Sequence, residues 1–349
     1  MDHKHNIGEI VGYLALAILL VAVLPATLDP YRLNIVGKYV SLAFVAVGIV
    51  LIWGYCGILS LGQGIFFAIG GYLMAMYLKL EASAPDLPDF MVWSSVTELP
   101  RWWEPFHSLT NTVLAIFIIP GVLAFGFAYA FFRRRVSGVY IAIVTLALAL
   151  GLTVLLIGSQ GETGGFNGIT NFSTFAGLDI LEDQSKTNLY FIQLGFLLLV
   201  MLISSWIIRT RLGKVLIAIR DQEDRVSFTG YNTALIRAFI FTVAAIFASI
   251  GGAMYTLQVG LIAPSVVGVM ASVEMVVYAA VGGRLSVPGA VVGALLIGYA
   301  RSYLSENFPE TWLFFLGAVF ILVVMFMPKG LAGVTERFFQ WGGRKEASL

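Results

Sequence analysis

The sequence predicts an all-α fold: a polytopic bundle of about ten membrane-spanning helices (eight to ten), read as one domain over residues 1–349. Three observations carry this. Hydrophobic residues make up 59% of the chain and charged residues 12%, against about 45–50% and about 25% in soluble domains. Several runs reach roughly 18 or more residues with almost no charge, enough to cross a hydrocarbon core of about 30 Å. The charges gather between those runs, so the net charge of +1 says little and each loop is weighed by itself.

Taken in order, the apolar runs lie near 10–28, 36–53, 61–78, 112–132, 139–157, 189–208, 238–257, 267–281, 289–300 and 312–327. The first is longer than the apolar core of a signal peptide and lacks a small-x-small cleavage site, so it is read as a retained span. The eighth and ninth are short for simple crossings and are expected to be tilted, broken or partly re-entrant. Irregular backbone at membrane depth survives only where protein or water covers it.

The loops set the expected orientation. Arg133, Arg134 and Arg135 form one basic cluster, the 209–237 segment carries more, and the tail has Lys329, Arg337, Arg344 and Lys345. The loops at 79–111 and 158–188 are acidic, with Glu81, Asp86, Asp89, Glu98 and Glu104 in the first and Glu162, Asp179, Glu182 and Asp183 in the second. The positive-inside tendency then places the basic loops and both termini in the cytoplasm and the acidic loops outside. The 79–111 loop also holds four prolines and Trp93, Trp102 and Trp103. It reads either as an interfacial cap or as a docking surface for an external partner.

Polar residues in apolar surroundings are the candidates for function. The stretch 54–64 breaks two spans with glycines and adds Ser60 and Gln63. A second glycine-rich break covers 282–289, on the same side as the first. Such breaks mark either a central pathway or plain helix connections with tight packing. The segment 160–171 supplies neutral hydrogen-bonding groups, Asn167 and Thr170 among them, and reads as pathway lining or as an outer turn. Glu274 lies inside an apolar run, where a carboxylate costs about 2.5–3.5 kcal/mol to insert, so it must face protein or water. It either lines a pathway or pairs with an arginine or hydroxyl on a neighbouring helix. Gly289 and Gly293 have the spacing that lets helices pack closely.

The 209–237 island contains a short amphipathic helix over 211–229. Leu212, Val215, Leu216 and Ile219 fall at i, i+3, i+4 and i+7, one helix face. Arg220, Asp221, Asp224 and Arg225 mostly lie off that stripe. The helix reads as an apolar ridge with flanking charges offered to something outside the bilayer, or as a solvated connector. A glycine-rich phosphate loop of the G-x-x-x-x-G-K-[ST] kind is absent, as are a metal-ligand constellation and a nucleophile elbow. An intramembrane enzyme would need clustered acids, and the 158–188 acids are scattered. The single cysteine, Cys56, excludes an intrachain disulfide.

Five segments together carry a family resemblance: LSLGQGIFFAIGGY at 59–72, TGGFNGIT at 163–170, RLGKVLIAIRDQEDRVSFTGYN at 211–232, GGAMY at 251–255 and the SVEM…VGGR block at 272–284. In order, they resemble the permeases of branched-chain amino acid importers driven by ATP-binding subunits. Gln63, the outer segment at 91–103 and the segment at 305–314 resemble the urea-importing branch. The wording after Gly283, Arg284-Leu-Ser-Val-Pro-Gly289, departs from the family's usual glycine–threonine pattern.

The resemblance implies a multi-pass permease of a bacterial inner membrane with no catalytic residues, metal or cofactor of its own. Its partners would be a sibling permease, two cytoplasmic ATPase subunits holding ATP and magnesium, and a periplasmic binding protein. No nucleic-acid partner is expected. The 211–229 helix becomes the coupling element, with Leu212, Leu216 and Ile219 anchoring it in an ATPase groove and Arg220, Asp221, Asp224 and Arg225 setting register. Ser60, Gln63, Asn167, Thr170 and Glu274 are the candidate pathway residues. The neutral ones, Gln63, Asn167 and Thr170, favour urea as the solute. Branched-chain amino acids, or passive flow of a small neutral solute, are the alternatives.

Overall fold

The computed structural model describes residues 12–136, 138–180, 182–327 and 330–333. The basic residues of the tail, on which the expected orientation partly rests, lie outside these. The chain folds into helices α1 (Gly12–Thr27), α2 (Pro30–Tyr55) and α3 (Gln63–Ser83), then a short outer-loop helix α4 (Asp89–Trp93). These are followed by α5 (Leu109–Arg133), α6 (Val139–Gly158), α7 (Asp183–Arg209), α8 (Arg211–Phe228), α9 (Thr233–Val259), α10 (Val269–Gly282), α11 (Val287–Asn307) and α12 (Trp312–Phe326). Four two-residue strands are the only sheet among the described residues: β1 (Ile169–Thr170), β2 (Thr174–Phe175), β3 (Leu178–Asp179) and β4 (Leu261–Ile262). β1 pairs with β4 and β2 with β3, both antiparallel.

Every predicted span coincides with a helix. Seven are long and apolar enough to cross a membrane, namely α2, α3, α5, α6, α7, α9 and α11. The other three, α1, α10 and α12, are shorter apolar helices. The ninth run, expected to be short, continues to Asn307 as a full-length helix. The sequence reading stops it at Arg301, but Arg301 is paired with Glu274 and the helix runs through the charge. The eighth run is short, as expected. At about 1.5 Å per residue its 14 residues cover roughly 21 Å.

Helix α9 is the centre, packed against α3, α5 and α2. Its contact with α3 is made backbone to backbone. A Cβ on Gly252 would lie 1.7 Å from the Phe67 carbonyl, and one on Gly70 would lie 2.0 Å from that of Ser249. Without a hydrophobic drive between helices in lipid, this approach maximises dispersion and admits hydrogen bonds between helices. The Thr256 hydroxyl donates to Gly71 O at 3.1 Å. A second bond repairs a defect. Pro120 inside α5 has no N–H, so the Ile116 carbonyl four residues earlier loses its helical donor. The Ser249 hydroxyl of α9 donates to that carbonyl at 2.8 Å. On the other side of α2, Gln193 of α7 donates to Gly37 O at 2.8 Å and to Ser41 Oγ at 2.7 Å. Helices α10 and α11 cross just as closely: a Cβ on Gly293 would come 2.2 Å from Tyr278 O, which gives the Gly289/Gly293 spacing its purpose.

The α3–α9 crossing tolerates nothing larger than hydrogen. Gly252→Ala should lower the thermal midpoint of the detergent-solubilised protein by the equivalent of about 1–3 kcal/mol, the usual cost of overpacking. Gly195→Ala, where a Cβ meets nothing within 4 Å, should leave it unchanged.

Candidate functional site

The two glycine breaks and α8 meet at one end of the bundle. The last residues of α2, Val50–Tyr55, wind as a π-helix and bring Gly54 to the surface of the second break. A Cβ on Gly54 would sit 1.8 Å from Arg284 O. The Tyr55 hydroxyl donates to Leu285 O at 2.9 Å, and the Arg284 guanidinium lies 5.8 Å from the Trp53 ring centre. Arg220 of α8 reaches into the same place, its Nη1 donating to Gly54 O at 2.8 Å. A second tie links α8 to α9, where Arg237 Nη1 lies 2.7 Å from Glu223 Oε2, with the guanidinium against Phe132. Helix α8 is therefore fastened to two core helices by two charged groups.

This changes the reading of the amphipathic ridge. Leu216 and Ile219 are buried and Leu212 is half-buried, all turned onto the chain's own bundle. They do not form an outward anchor, because packing against the bundle consumes the stripe. Arg220 is exposed, and its guanidinium bridges Asp221 Oδ1 at 2.9 Å and Gly54 O at 2.8 Å. Asp221, Asp224 and Arg225 stay exposed. Gln222 leaves helical geometry (φ −152°, ψ 74°), so α8 is kinked between its buried half and its exposed half. Phe228, at the end of the exposed half, is 90% accessible.

The second cluster is an interior charge site. Glu274 of α10 is 2% exposed, and its Oε2 lies 2.8 Å from Arg301 Nη1 of α11. Its other oxygen, Oε1, is buried without a hydrogen-bond partner. The Arg301 guanidinium stands 5.4 Å from the Trp312 ring centre. Lys38 of α2 interacts electrostatically with both Glu274 and Arg301. The neighbouring Tyr39 hydroxyl donates to Ser302. Two cations and one carboxylate thus lie together among apolar helices, where unpaired charge is expensive.

The other sequence candidates are placed separately. Ser60 is buried and its hydroxyl accepts from Gly62 N at 3.3 Å, closing a local turn, while Leu61 N donates to Thr145 Oγ1 at 3.1 Å. Gln63 is buried with both amide atoms unpartnered, and the next residue, Gly64, abuts Ser272 of α10. Asn167 and Thr170 belong to the opposite end of the bundle. Asn167 is exposed, and the Thr170 carbonyl accepts from Lys79 Nζ at 3.1 Å. Lys79 also pairs with Asp89 at 2.8 Å, and Glu81 accepts from Ala176 N and Gly177 N. These bonds fasten the 160–180 segment and the 84–107 loop to the end of α3. The five pathway candidates are thus split over three places. Among the described residues no group of three or more His, Cys, Asp or Glu gathers to hold a metal.

Four of the five segments that carry the resemblance lie at these places: 59–72 and 251–255 at the α3–α9 crossing, 211–232 at the Gly54 junction and 272–284 at the interior charges; the fifth, 163–170, lies at the opposite end and pairs with 261–262. A family model described as "Branched-chain amino acid transport system / permease component" matches residues 31–324. The chain belongs to that family. It is similar to the high-affinity branched-chain amino acid transport system permease protein LivM of Escherichia coli, 26% identical over 83% of this chain and 67% of LivM. It is also similar to LivH of Salmonella typhimurium, 26% identical over 84% of this chain and 92% of LivH. BraD of Pseudomonas aeruginosa is 23% identical over 84% of this chain and 92% of BraD. No solved structure matches the chain.

Sequence reasoning about this permease missed Lys38, Lys79, Glu223, Arg237 and Arg301. Lys38 and Arg301 carried a visible signal: each is a lone charge in or beside an apolar run. Glu223 and Arg237 carried none, since their pairing depends on how α8 folds back on α9.

Two outcomes follow from this geometry. Arg301→Met strands the Glu274 carboxylate, and breaking a buried pair costs about 3–5 kcal/mol, here toward the low end because the Arg301 side chain is 42% exposed. Adding Glu274→Gln should restore much of the thermal midpoint. At the opposite end, burial alone raises the Asp89 pKa, but Lys79, the Phe90 N–H and Asn171 outweigh it and hold the carboxyl below its ordinary value. The contribution of a depressed carboxylate is complete above the unfolded pKa of about 3.9 and lost as pH falls through the folded value. The thermal midpoint should therefore drop below about pH 4, and Asp89→Asn should flatten that step.

Proposed function

We propose that this chain is the membrane permease of an importer that carries branched-chain aliphatic amino acids, powered by ATP hydrolysed in separate subunits. The observation that carries the reading is the double fastening of α8, Arg220 to Gly54 O and Glu223 to Arg237. An amphipathic helix outside the apolar bundle, tied to α2 and α9, transmits a push from outside to the core crossing. Its exposed charges, Asp221, Asp224 and Arg225, and the exposed Phe228 face an ATPase subunit. A partner that grips two states unequally shifts the bundle between them.

Membership in the family and the names of the relatives support the amino acid. So does the interior charge site. A zwitterion carries a carboxylate and an ammonium, and Lys38, Arg301 and Glu274 offer counterparts for both. Urea needs none of them, and the neutral groups that favoured it, Asn167 and Thr170, sit at one end of the bundle, apart from Gln63. The end bearing α8 is cytoplasmic in this reading, and the chain works in a bacterial inner membrane beside a sibling permease, two ATPases and an external binding protein. With α1, α10 and α12 counted, the chain crosses ten times.

The test is uptake by the complex reconstituted in vesicles, with labelled leucine, isoleucine, valine and urea. ATP-dependent leucine accumulation is expected. Uptake that persists without the ATPase chains, or accumulation of urea but not leucine, overturns the reading. Glu223→Gln should cut leucine uptake about tenfold, the loss of ~1.4 kcal/mol of coupling, while the complex still assembles and hydrolyses ATP.

A further inference from the structure

Between α3 and α6, at the end of the bundle opposite α8, lies a cavity of about 200 Å³. Its walls are apolar, Leu73 from α3 and Leu152 and Leu156 from α6 among them. An engineered cavity of about 150 Å³ with such walls binds benzene, so this one has room for a branched aliphatic group.

Two polar features break the apolar wall. Glu162 lines the cavity and is exposed to solvent. One of its carboxylate oxygens, Oε2, accepts from Trp102 Nε1 at 3.2 Å. Tyr72 also lines the cavity, and its hydroxyl is buried with no hydrogen-bond partner. A buried hydroxyl is normally satisfied, and leaving it bare costs about 1–3 kcal/mol. An apolar chamber with one carboxylate and one unused phenol hydroxyl matches a molecule with a branched apolar body, an ammonium and a hydrogen-bond acceptor.

We infer that this cavity is a binding station for an aliphatic α-amino acid, which seats its side chain among Leu73, Leu152 and Leu156. The ammonium pairs with Glu162, and the substrate carboxylate accepts from the Tyr72 hydroxyl. The station rests on the proposed function. With α8 on the cytoplasmic side, it lies at the external end and takes the amino acid before it reaches the Lys38–Glu274–Arg301 charges. A lipid acyl chain also fits apolar walls, but it carries no ammonium for Glu162.

The experiment uses the whole reconstituted complex and a diazirine analogue of leucine as the probe. Light should crosslink the probe to peptides covering 68–76 and 152–163. Excess leucine should displace it and glycine should not. Leu73→Trp, which fills the cavity, should lower crosslinking and leucine uptake about tenfold, the scale on which hydrophobic pockets discriminate by a group or two. Glu162→Gln alters an exposed residue, so folding is not at issue, and it should raise the leucine concentration needed for half-maximal uptake. Crosslinks to these peptides that leucine fails to displace, but that a diazirine fatty acid reproduces, would make the occupant lipid and overturn the inference. So would wild-type uptake and crosslinking in both variants. If the unaltered complex carries no leucine at all, the proposed function itself fails.

Discussion

The rest of the molecule depends on one steric constraint, the contact of the α3 and α9 backbones through Gly70 and Gly252. Carbonyls stand where side chains would be, so the two helices are held at the shortest separation that two helical backbones allow. In lipid the gain comes from dispersion over that contact and from hydrogen bonds such as Thr256 to Gly71 O. The same central helix supplies the hydroxyl that repairs the Pro120 defect in α5 and the arginine that holds α8. A change in the position of α9 is therefore felt by α2, α3, α5 and α8 together. Packed cores respond to such changes by switching arrangement rather than by deforming gradually.

The junction at Gly54 ties α8 to that core. The carbonyl of one residue receives Arg220 from α8, and its α-carbon rests on the backbone of the second glycine break. Both breaks thus serve one place, a joint between α2, α8 and the α10–α11 turn, and their glycines permit the close approach. The kink at Gln222 separates the buried stripe of α8 from its exposed end, and Glu223, just beyond the kink, ties that end back to Arg237.

The fold was largely legible because its main cause is local. Apolar runs long enough to span hydrocarbon become helices, and all ten runs did. The ninth apolar run ends at residue 300, before the charged Arg301, but the helix continues to Asn307. The partner of Arg301, Glu274, lies 27 positions away in sequence, and nothing in the run itself announces that. The amphipathic helix was visible from the spacing of Leu212, Leu216 and Ile219. Periodicity marks which face is apolar, but it is silent on what covers that face. The ridge turned out to be used internally, which moves the outward surface to Asp221, Asp224, Arg225 and Phe228.

Sequence by itself determined the class of molecule, the helices, the glycine breaks and the family, since each is written in composition, period or contiguous motif. Tertiary structure alone decided which polar groups share a place. It put Gln63, Thr170 and Glu274 in three separate surroundings, brought Lys38 within electrostatic reach of Glu274 and Arg301, and opened a chamber beside Tyr72 and Glu162. The reason is geometric: a helix fixes neighbours three and four residues apart, whereas contacts between helices depend on crossing points set by small residues far apart along the chain.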